Sequence, residues 1–240
     1  MERRRRTAPR RALLLACAAA VPALLLAGCS SGGSGSDSGG KGDGTAGGKD
    51  TAASGPATTT AAPAPEKFAT LPNACQSVGK ATVDAIVPKA KSAAGTPATS
   101  DDPKNRAGCS WTGNGKDGYQ YRWLSVTFQR FGSTSAGPAE DQAKERFTDQ
   151  AARLGKAPGA KVSAVTGVGD QATSVAGKAT VAKVTSQNDT LLVRTGNVLV
   201  IVEYDGAGLE GKKNPSATTV NAGALRAAKE AVAAVAAANA

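Results

Sequence analysis

The sequence contains no histidine, and only nine of its 240 residues are aromatic. Without an imidazole, the chain cannot build a Ser-His-Asp or Cys-His catalytic site or a zinc site with histidine ligands. Carboxylates are also sparse, and the densest pairs are Asp101-Asp102 and Glu203 with Asp205. Calcium needs several oxygen ligands in a short span, which neither pair offers, so we predict no metal ion and no cofactor. Glu203 and Asp205 share one face of a strand and could serve as paired carboxylates, but we interpret them as a solvated strand end.

The first 28 residues have the pattern of a bacterial export signal. A cluster of six arginines is followed by an apolar run of 14 residues, Leu13 to Leu26, and then by Ala27-Gly28-Cys29. That run is too short for the roughly 20 residues of a membrane-spanning helix, and Pro22 interrupts it. Leu-Ala-Gly-Cys matches the lipobox, in which the cysteine thiol receives a diacylglycerol. We predict a lipoprotein signal peptide over residues 1–28, lipidation of Cys29, and a location on the extracytoplasmic face of the plasma membrane.

Acidic residues are in the minority, and the formal net charge of +10 is typical of proteins that bind nucleic acid. Residues 1–28, however, carry six arginines and one glutamate, so half of this charge belongs to the predicted signal peptide. After its removal, the remaining charge suits proximity to anionic lipid or wall polymer. We therefore predict a membrane partner through the lipid anchor and no nucleic acid partner.

Only four cysteines are present. Cys17 belongs to the signal peptide and Cys29 is the predicted acylation site, so Cys75 and Cys109 remain. An isolated pair in an oxidising compartment predicts one disulfide. The alternative, a redox-active pair, normally has the short spacing Cys-x-x-Cys.

The segment between residues 30 and 67 has no Val, Ile, Leu, Met or aromatic residue. Such a chain cannot bury enough apolar surface to offset its ordering entropy. We predict that residues 29–67 form a lipidated cysteine and a flexible tether. Residues 68–240 are long enough for one globular domain with a well-buried core.

Hydrophobic periodicity predicts a mixed order of helices and strands in this domain. We predict helices over 80–87, 138–154 and 219–238, and strands that begin at Cys109 and cover 121–130, 161–166, 172–175, 180–185, 190–194 and 198–204. Gly196-Asn197 is a tight hairpin signal. This order indicates an α+β domain with an antiparallel sheet of about six or seven strands covered by helices.

Six of the nine aromatic residues fall within 21 positions, between Trp111 and Phe131. Strict alternation in 121–130 places Leu124, Val126 and Phe128 on one face and Tyr121 and Trp123 on the other. Two interpretations stay open. The rings either build a core hairpin beside the cysteine pair, or expose a stacking surface for a glycan or lipid. On the second, the ligand-binding residues are Trp111, Tyr119, Tyr121 and Trp123.

Three short motifs imitate catalytic or nucleotide-binding signatures. Gly113–Gly118 and Gly167–Ala172 have the spacing of dinucleotide-binding loops, but both lead into strands rather than helices. We interpret them as turns. Ser77-Val78-Gly79-Lys80 matches the Ser-x-x-Lys motif of penicillin-recognising enzymes. The sequences that could serve as the second and third motifs of those enzymes lie too close together to leave room for the helical subdomain that carries the second motif. We predict no catalytic residue.

Several features together resemble a known family. They are the Cys29 lipobox, the tether, Pro72-Asn73-Ala74-Cys75, Gly108-Cys109-Ser110-Trp111, the turn 165–172 and the alanine-rich terminal helix. This combination resembles an actinobacterial lipoprotein family catalogued as domain of unknown function 3558. The chain departs from the family pattern just after Cys75. Family members commonly have two bulky aliphatic residues there, whereas this chain has Gln76, Ser77 and Val78.

The resemblance implies an extracytoplasmic α+β domain akin to the Mog1/PsbP-like fold. It also implies structural roles for Cys75, Cys109 and Trp111, and no established activity. We predict a non-enzymatic, membrane-anchored surface lipoprotein with a binding or accessory domain. Its ligand is an envelope protein, a glycan or a lipid. The alternative is a small histidine-free hydrolase or transferase of the cell envelope.

Overall fold

A computed structural model describes residues 65–116, 118–135 and 137–240. The predicted signal peptide, Cys29 and nearly all of the tether lie outside these residues. The described chain contains a short 3-10 helix at Ala74–Gln76, followed by strands and α-helices. In chain order they are α1 Lys80–Ile86, β1 Thr96–Pro97, β2 Arg106–Asn114, β3 Gln120–Arg130, α2 Ala139–Leu154, β4 Lys161–Val165, β5 Gln171–Val181, β6 Val184–Thr195, β7 Val198–Gly208 and α3 Ala217–Ala237.

The seven strands form one sheet in the order β1-β2-β3-β7-β6-β5-β4. Every neighbouring pair is antiparallel. The long central strands β3, β7 and β6 carry most of the core, because their inward positions are almost entirely apolar. The predicted α+β class is confirmed, whereas kinship with the Mog1/PsbP-like fold stays a prediction.

Helix α3 covers one face of the sheet. Its contact stripe consists mainly of small side chains with no solvent exposure: Val220, Ala224, Ala227, Ala228, Ala231 and Val235. Because alanine projects only one methyl group, the helix axis can lie close to the strands. The strands fill the space with Trp111, Leu124, Val126 and Phe128, which are all buried in the same cluster. The alternation predicted for residues 121–130 is therefore confirmed on its core-facing side.

Among the described helices, only α2 covers the opposite face of the sheet, and it does so at one end. Phe147 of α2 packs on Leu192 of β6 and on Leu199 and Ile201 of β7 in a second, smaller apolar cluster. Beyond Ile201, the β7 residues on this side are Glu203 and Asp205, which are only partly buried. Helix α2 therefore leaves part of this face uncovered.

Buried polar contacts fasten the start of the domain to the central strands. Asn197, in the β6–β7 turn, is fully buried. Its side chain accepts a hydrogen bond from the Phe68 amide at 2.9 Å and donates to the carbonyls of Phe68 and Phe131 at 3.0 and 2.8 Å. Glu66 forms a 2.5 Å salt bridge with Arg130 at the end of β3. Within the described residues, Glu66 and Phe68 thus already contact the central strands.

One predicted strand is wrong. The segment 180–185 is not a separate strand but the tip of a hairpin between β5 and β6. Ala182 and Lys183 make the turn with φ of 48° and 67°, in the left-handed region that Gly, Asn and Asp usually occupy. Because neither residue signals such a turn, the sequence pattern divided these two long strands into three short ones.

Candidate functional site

The uncovered part of the α2 side of the sheet is the candidate site, and we call it the open face. It is formed by side chains that share this face on three neighbouring strands: Trp123 and Ser125 of β3, Glu203 and Asp205 of β7, and Asn188 and Thr190 of β6. In the strand register, Trp123 lies opposite Asp205, and Ser125 lies opposite Glu203. On the other side of β7, Asn188 lies opposite Asp205.

Strand alternation explains how these residues reach one surface. In β7, Val200, Val202 and Tyr204 point toward α3, so Glu203 and Asp205 point away from it. In β3, Leu124 and Val126 point toward α3, so Trp123 and Ser125 share the side of the carboxylates. An antiparallel sheet commonly has one apolar and one polar face. The half-buried indole of Trp123 is a large apolar group on the otherwise polar face.

The two carboxyl groups of the open face are held in a poorly solvated environment. Burial, and second the nearby Glu203 charge, together raise the pKa of Asp205 to about 6. Burial also raises the pKa of Glu203. Tyr121, two residues before Trp123, has a raised pKa, first because of burial and second because of the Asp205 charge. The prediction that Glu203 and Asp205 form a solvated strand end is therefore wrong.

Among the described residues, neither carboxylate has a salt-bridge partner or a hydrogen-bond donor. Asn188 Oδ1 is buried and likewise accepts no hydrogen bond within the described chain. The open face therefore combines an aromatic ring with two carboxylates whose bonding capacity the described fold does not use, while the Asn188 oxygen is buried beneath them. A ligand with several hydroxyl or amine donors would match it chemically.

The structure separates the four aromatic residues that the sequence analysis grouped as ligand-binding. Trp111 is only 1% exposed and packs in the core beneath α3, so its inclusion in an exposed surface is wrong. Tyr119 is 44% exposed, and its ring lies against the Lys212 ammonium at 5.0 Å from the centroid. Trp123 belongs to the open face, and Tyr121 lies on the same side of β3 just beside it. Alternation had already separated Trp123 from the core side, whereas the depth of Trp111 depends on the packing of α3.

Cys75 and Cys109 form a disulfide, with Cα atoms 5.1 Å apart. The bridge joins the 3-10 helix to β2, and Cys109 is buried in the main core. Residue 95 is a glycine because its backbone lies close to the disulfide. A Cβ there would lie 2.4 Å from Cys109 Sγ, and the backbone adopts φ of 78°. The pair thus has a structural setting beneath the loop that precedes β1.

The catalytic-looking motifs have structural roles. Ser77 is buried, and its hydroxyl donates to the Ala74 carbonyl at 2.7 Å, while the Lys80 ammonium pairs with Asp84. Ser77 and Lys80 are therefore engaged elsewhere and do not form a nucleophile and base. The turn before β5 uses Asp170, whose carboxylate accepts a hydrogen bond from the Gly196 amide at 2.6 Å.

Two further classes of feature are missing from the described residues. They contain no group of three or more Cys, Asp or Glu side chains placed to hold a metal ion. Within the same part of the chain, no helix has both the length and the apolar character to cross a membrane.

Comparison with known proteins gives the family but no activity. No curated protein matches the chain. One solved structure, titled as that of LpqN involved in cell envelope biogenesis of Mycobacterium tuberculosis, is similar at 14% identity and a TM-score of 0.28. The matched region covers 57% of this chain and 82% of the LpqN chain. A similarity at this level carries no functional argument. The sequence profile described as "Protein of unknown function (DUF3558)" matches residues 24–217, most of the chain. The chain therefore belongs to the DUF3558 family, as its cysteine and tryptophan motifs predicted.

Proposed function

We propose that the protein is a lipid-anchored, non-catalytic binding protein of the cell envelope, and that its open face binds a glycan. The N-terminal arginines, the short apolar run and the Leu-Ala-Gly-Cys sequence support export and acylation of Cys29. The disulfide supports a folding compartment that is oxidising. The family and the fold are consistent with this function but do not identify a ligand.

The observation that carries the glycan proposal is the pairing of Trp123 with two carboxylates that lack partners in the described fold. A sugar ring offers an apolar C–H face that stacks on an indole and a rim of hydroxyl donors. Asp205 lies opposite Trp123 and is placed to accept from that rim, with Glu203 two residues along the same strand. Desolvated acceptors form stronger hydrogen bonds than exposed ones because fewer water molecules compete for them.

The burial of these groups argues against an ordinary solvated surface. A carboxylate that faces only water keeps a pKa near its ordinary value, whereas the pKa of Asp205 is raised to about 6. Lost solvation without a compensating partner destabilises the free protein. A ligand that supplies the missing donors would recover part of that free energy.

The anchor is tested separately from the ligand. We expect metabolic labelling with palmitate to mark the wild-type chain and to leave Cys29→Ser unlabelled, with loss of the processed form. Cys17→Ser is the matched control, because it removes a thiol from the same N-terminal region without touching the lipobox. Equal labelling of Cys29→Ser and the wild type would overturn the proposed anchoring.

The ligand is tested with soluble oligosaccharides released from host cell wall, by fluorescence titration. Because Trp111 is buried and Trp123 is half-buried, a spectral change on binding should report mainly on Trp123. We expect Trp123→Ala, titrated by calorimetry because this variant lacks the reporting indole, to weaken binding about tenfold or more. Thr127→Ala, on the same face of β3 but away from the carboxylates, should bind as the wild type does.

Analysis of the oligosaccharide after the titration discriminates between binding and catalysis. Intact oligosaccharide recovered after long incubation supports the binding function. Cleavage that is lost in Asp205→Asn would instead favour the hydrolase alternative, with Asp205 and Glu203 as its acid and base. No binding to any wall fraction would overturn the glycan proposal.

A further inference from the structure

A second candidate site lies on the α3 side of the sheet, independent of the open face. A cavity of about 590 Å³ opens between the end of α1, helix α3 and the β2–β3 hairpin. Its volume is in the range of small-ligand pockets. Much of its wall is apolar, with Ile86, Pro88, Ala222 and Gly223 among the lining residues.

The cavity contains a buried guanidinium. Arg122 of β3 is only 8% exposed. It donates to the Tyr121 carbonyl at 3.2 Å and to Gln120 Oε1 at 2.5 Å, and it lines the cavity together with Tyr204. All these partners are neutral. No carboxylate in the described ranges forms a salt bridge with it.

An unpaired buried cation is costly, because its lost hydration is not repaid by an opposite charge. Chains usually avoid this cost by pairing arginine with a carboxylate or by exposing its tip to water. In β3, Arg122 instead occupies the same register side as the core residue Leu124. The position of this charge therefore requires an explanation other than stability.

Two glycines let the neighbouring groups hold Arg122 in place. A Cβ on Gly206 of β7 would lie 2.8 Å from Arg122 Nη1, so the guanidinium occupies space that only glycine leaves free. A Cβ on Gly223 of α3 would lie 2.5 Å from Tyr204 Cε1. The Tyr204 hydroxyl, in turn, donates to the Ile86 carbonyl. Arg122 is thus fixed against a rigid wall before any ligand arrives.

The remaining charges of the cavity have the same sign. Lys116 and Arg226 also line it, and among the described residues none of the lining side chains is acidic. Arg226 is half exposed and lies 3.9 Å from Glu230. Glu230 itself accepts hydrogen bonds from Thr82 and from the Gly79 amide. Three cations therefore face one partly apolar cavity.

We propose that this cavity binds an anionic amphiphile, with a carboxylate or phosphate on Arg122 and an aliphatic portion against Ile86, Pro88 and the α3 wall. Guanidinium binds both oxyanions through paired, charge-assisted hydrogen bonds. Lys116 and Arg226 add attraction at the mouth of the cavity. The apolar wall selects ligands that carry a hydrocarbon part over small inorganic anions.

The test measures dissociation constants by calorimetry at physiological salt, using the full chain with Cys29→Ser in detergent-free buffer. The probes are decanoate, decyl phosphate, decanol and inorganic phosphate, each below its aggregation concentration. We expect at least one amphiphilic anion to bind about tenfold or more tightly than both decanol and inorganic phosphate. The tighter of decanoate and decyl phosphate identifies a fatty acid or a phosphate headgroup as the source.

Ala222 is exposed, so substitutions there should change binding without disturbing the fold. Ala222→Glu places a carboxylate at the cavity and should weaken binding about tenfold, whereas Ala222→Gln has a similar shape without the charge and should bind nearly as the wild type does. Arg122→Gln should abolish discrimination between decanoate and decanol. Equal binding of decanol, equal binding of inorganic phosphate, or no binding at all would each overturn the proposal. Trp123→Ala should leave this binding unchanged, which separates it from the glycan site.

Discussion

Replacing Asp205 by asparagine tests whether the open face is held at a cost in stability. Asp205 is partly buried on β7, without a cation or hydrogen-bond donor among the described residues. Burial and the Glu203 charge raise its pKa from 3.8 to about 6. The substitution removes the charge while nearly preserving the shape of the side chain. It should therefore stabilise the protein wherever Asp205 is ionised.

The sign and size of the effect follow from proton linkage. Because the pKa is higher in the folded than in the unfolded chain, the folded state holds its proton more tightly between these values. Stability therefore falls as pH rises from about 4 to about 6, and the full cost is present above the folded pKa. The shift corresponds to about 3 kcal/mol. Because the group keeps some contact with solvent, we expect about 1–2 kcal/mol.

The assay compares thermal unfolding of Asp205→Asn and the wild type at pH 7.5 and pH 4. We expect the variant to unfold about 4 °C higher at pH 7.5 and the difference to become small at pH 4. Asp149→Asn, which removes an exposed carboxylate from α2, is the control and should change the unfolding temperature by about 1–2 °C or less. A difference for Asp205→Asn that is absent at pH 7.5, or equal at both pH values, would refute the reasoning.

Three further substitutions test how the fold is held together, each by urea unfolding. Gly223→Ala should destabilise by about 1 kcal/mol although alanine favours a helix, because its Cβ would meet the anchored Tyr204 ring at 2.5 Å; a gain in stability would show that the ring yields. Replacing Cys75 and Cys109 together by alanine should cost about 4 kcal/mol for a bridge spanning 34 positions, and a loss under about 1 kcal/mol would contradict this. Asn197→Ala leaves the Phe68 amide and two carbonyls unpaired and should cost about 3 kcal/mol, with faster proteolysis near Phe68; unchanged stability and proteolysis would exclude that role.

The elements with strong periodicity could be predicted from sequence. The predicted helices lie within two residues of α1, α2 and α3 at both ends, and β3 begins one residue earlier than predicted. An apolar stripe marks each of these elements, and Pro88 and Gly155 in addition mark the ends of α1 and α2. The β5–β6 hairpin could not be predicted, because its turn uses residues without a turn preference. The short β1 has no pattern of its own and exists only through pairing with β2.

The candidate sites were predictable only in part. Alternation placed Tyr121 and Trp123 on one face, and the spacing of Glu203 and Asp205 placed both on one side of a strand. Their poor solvation could not be predicted, because it depends on which strands become neighbours. Arg122 carried a usable signal, since its register position coincides with that of Leu124 on the apolar side. A charged residue in a core-facing register is the pattern that points to the second cavity.

The hydrogen bonds of Asn197 and the Glu66–Arg130 salt bridge, which we call the clamp, lie at the opposite end of β7 from the two proposed sites. The chain joins the fold through Glu66 on Arg130 and Phe68 on Asn197, next to the first residue of β7. Tyr204 and Asp205, which belong to the two sites, lie six and seven residues further along that strand, roughly 20 Å away. Tension transmitted through residues 66–68 would thus act first on the clamp, about six residues of β7 away from the side chains of the two proposed sites.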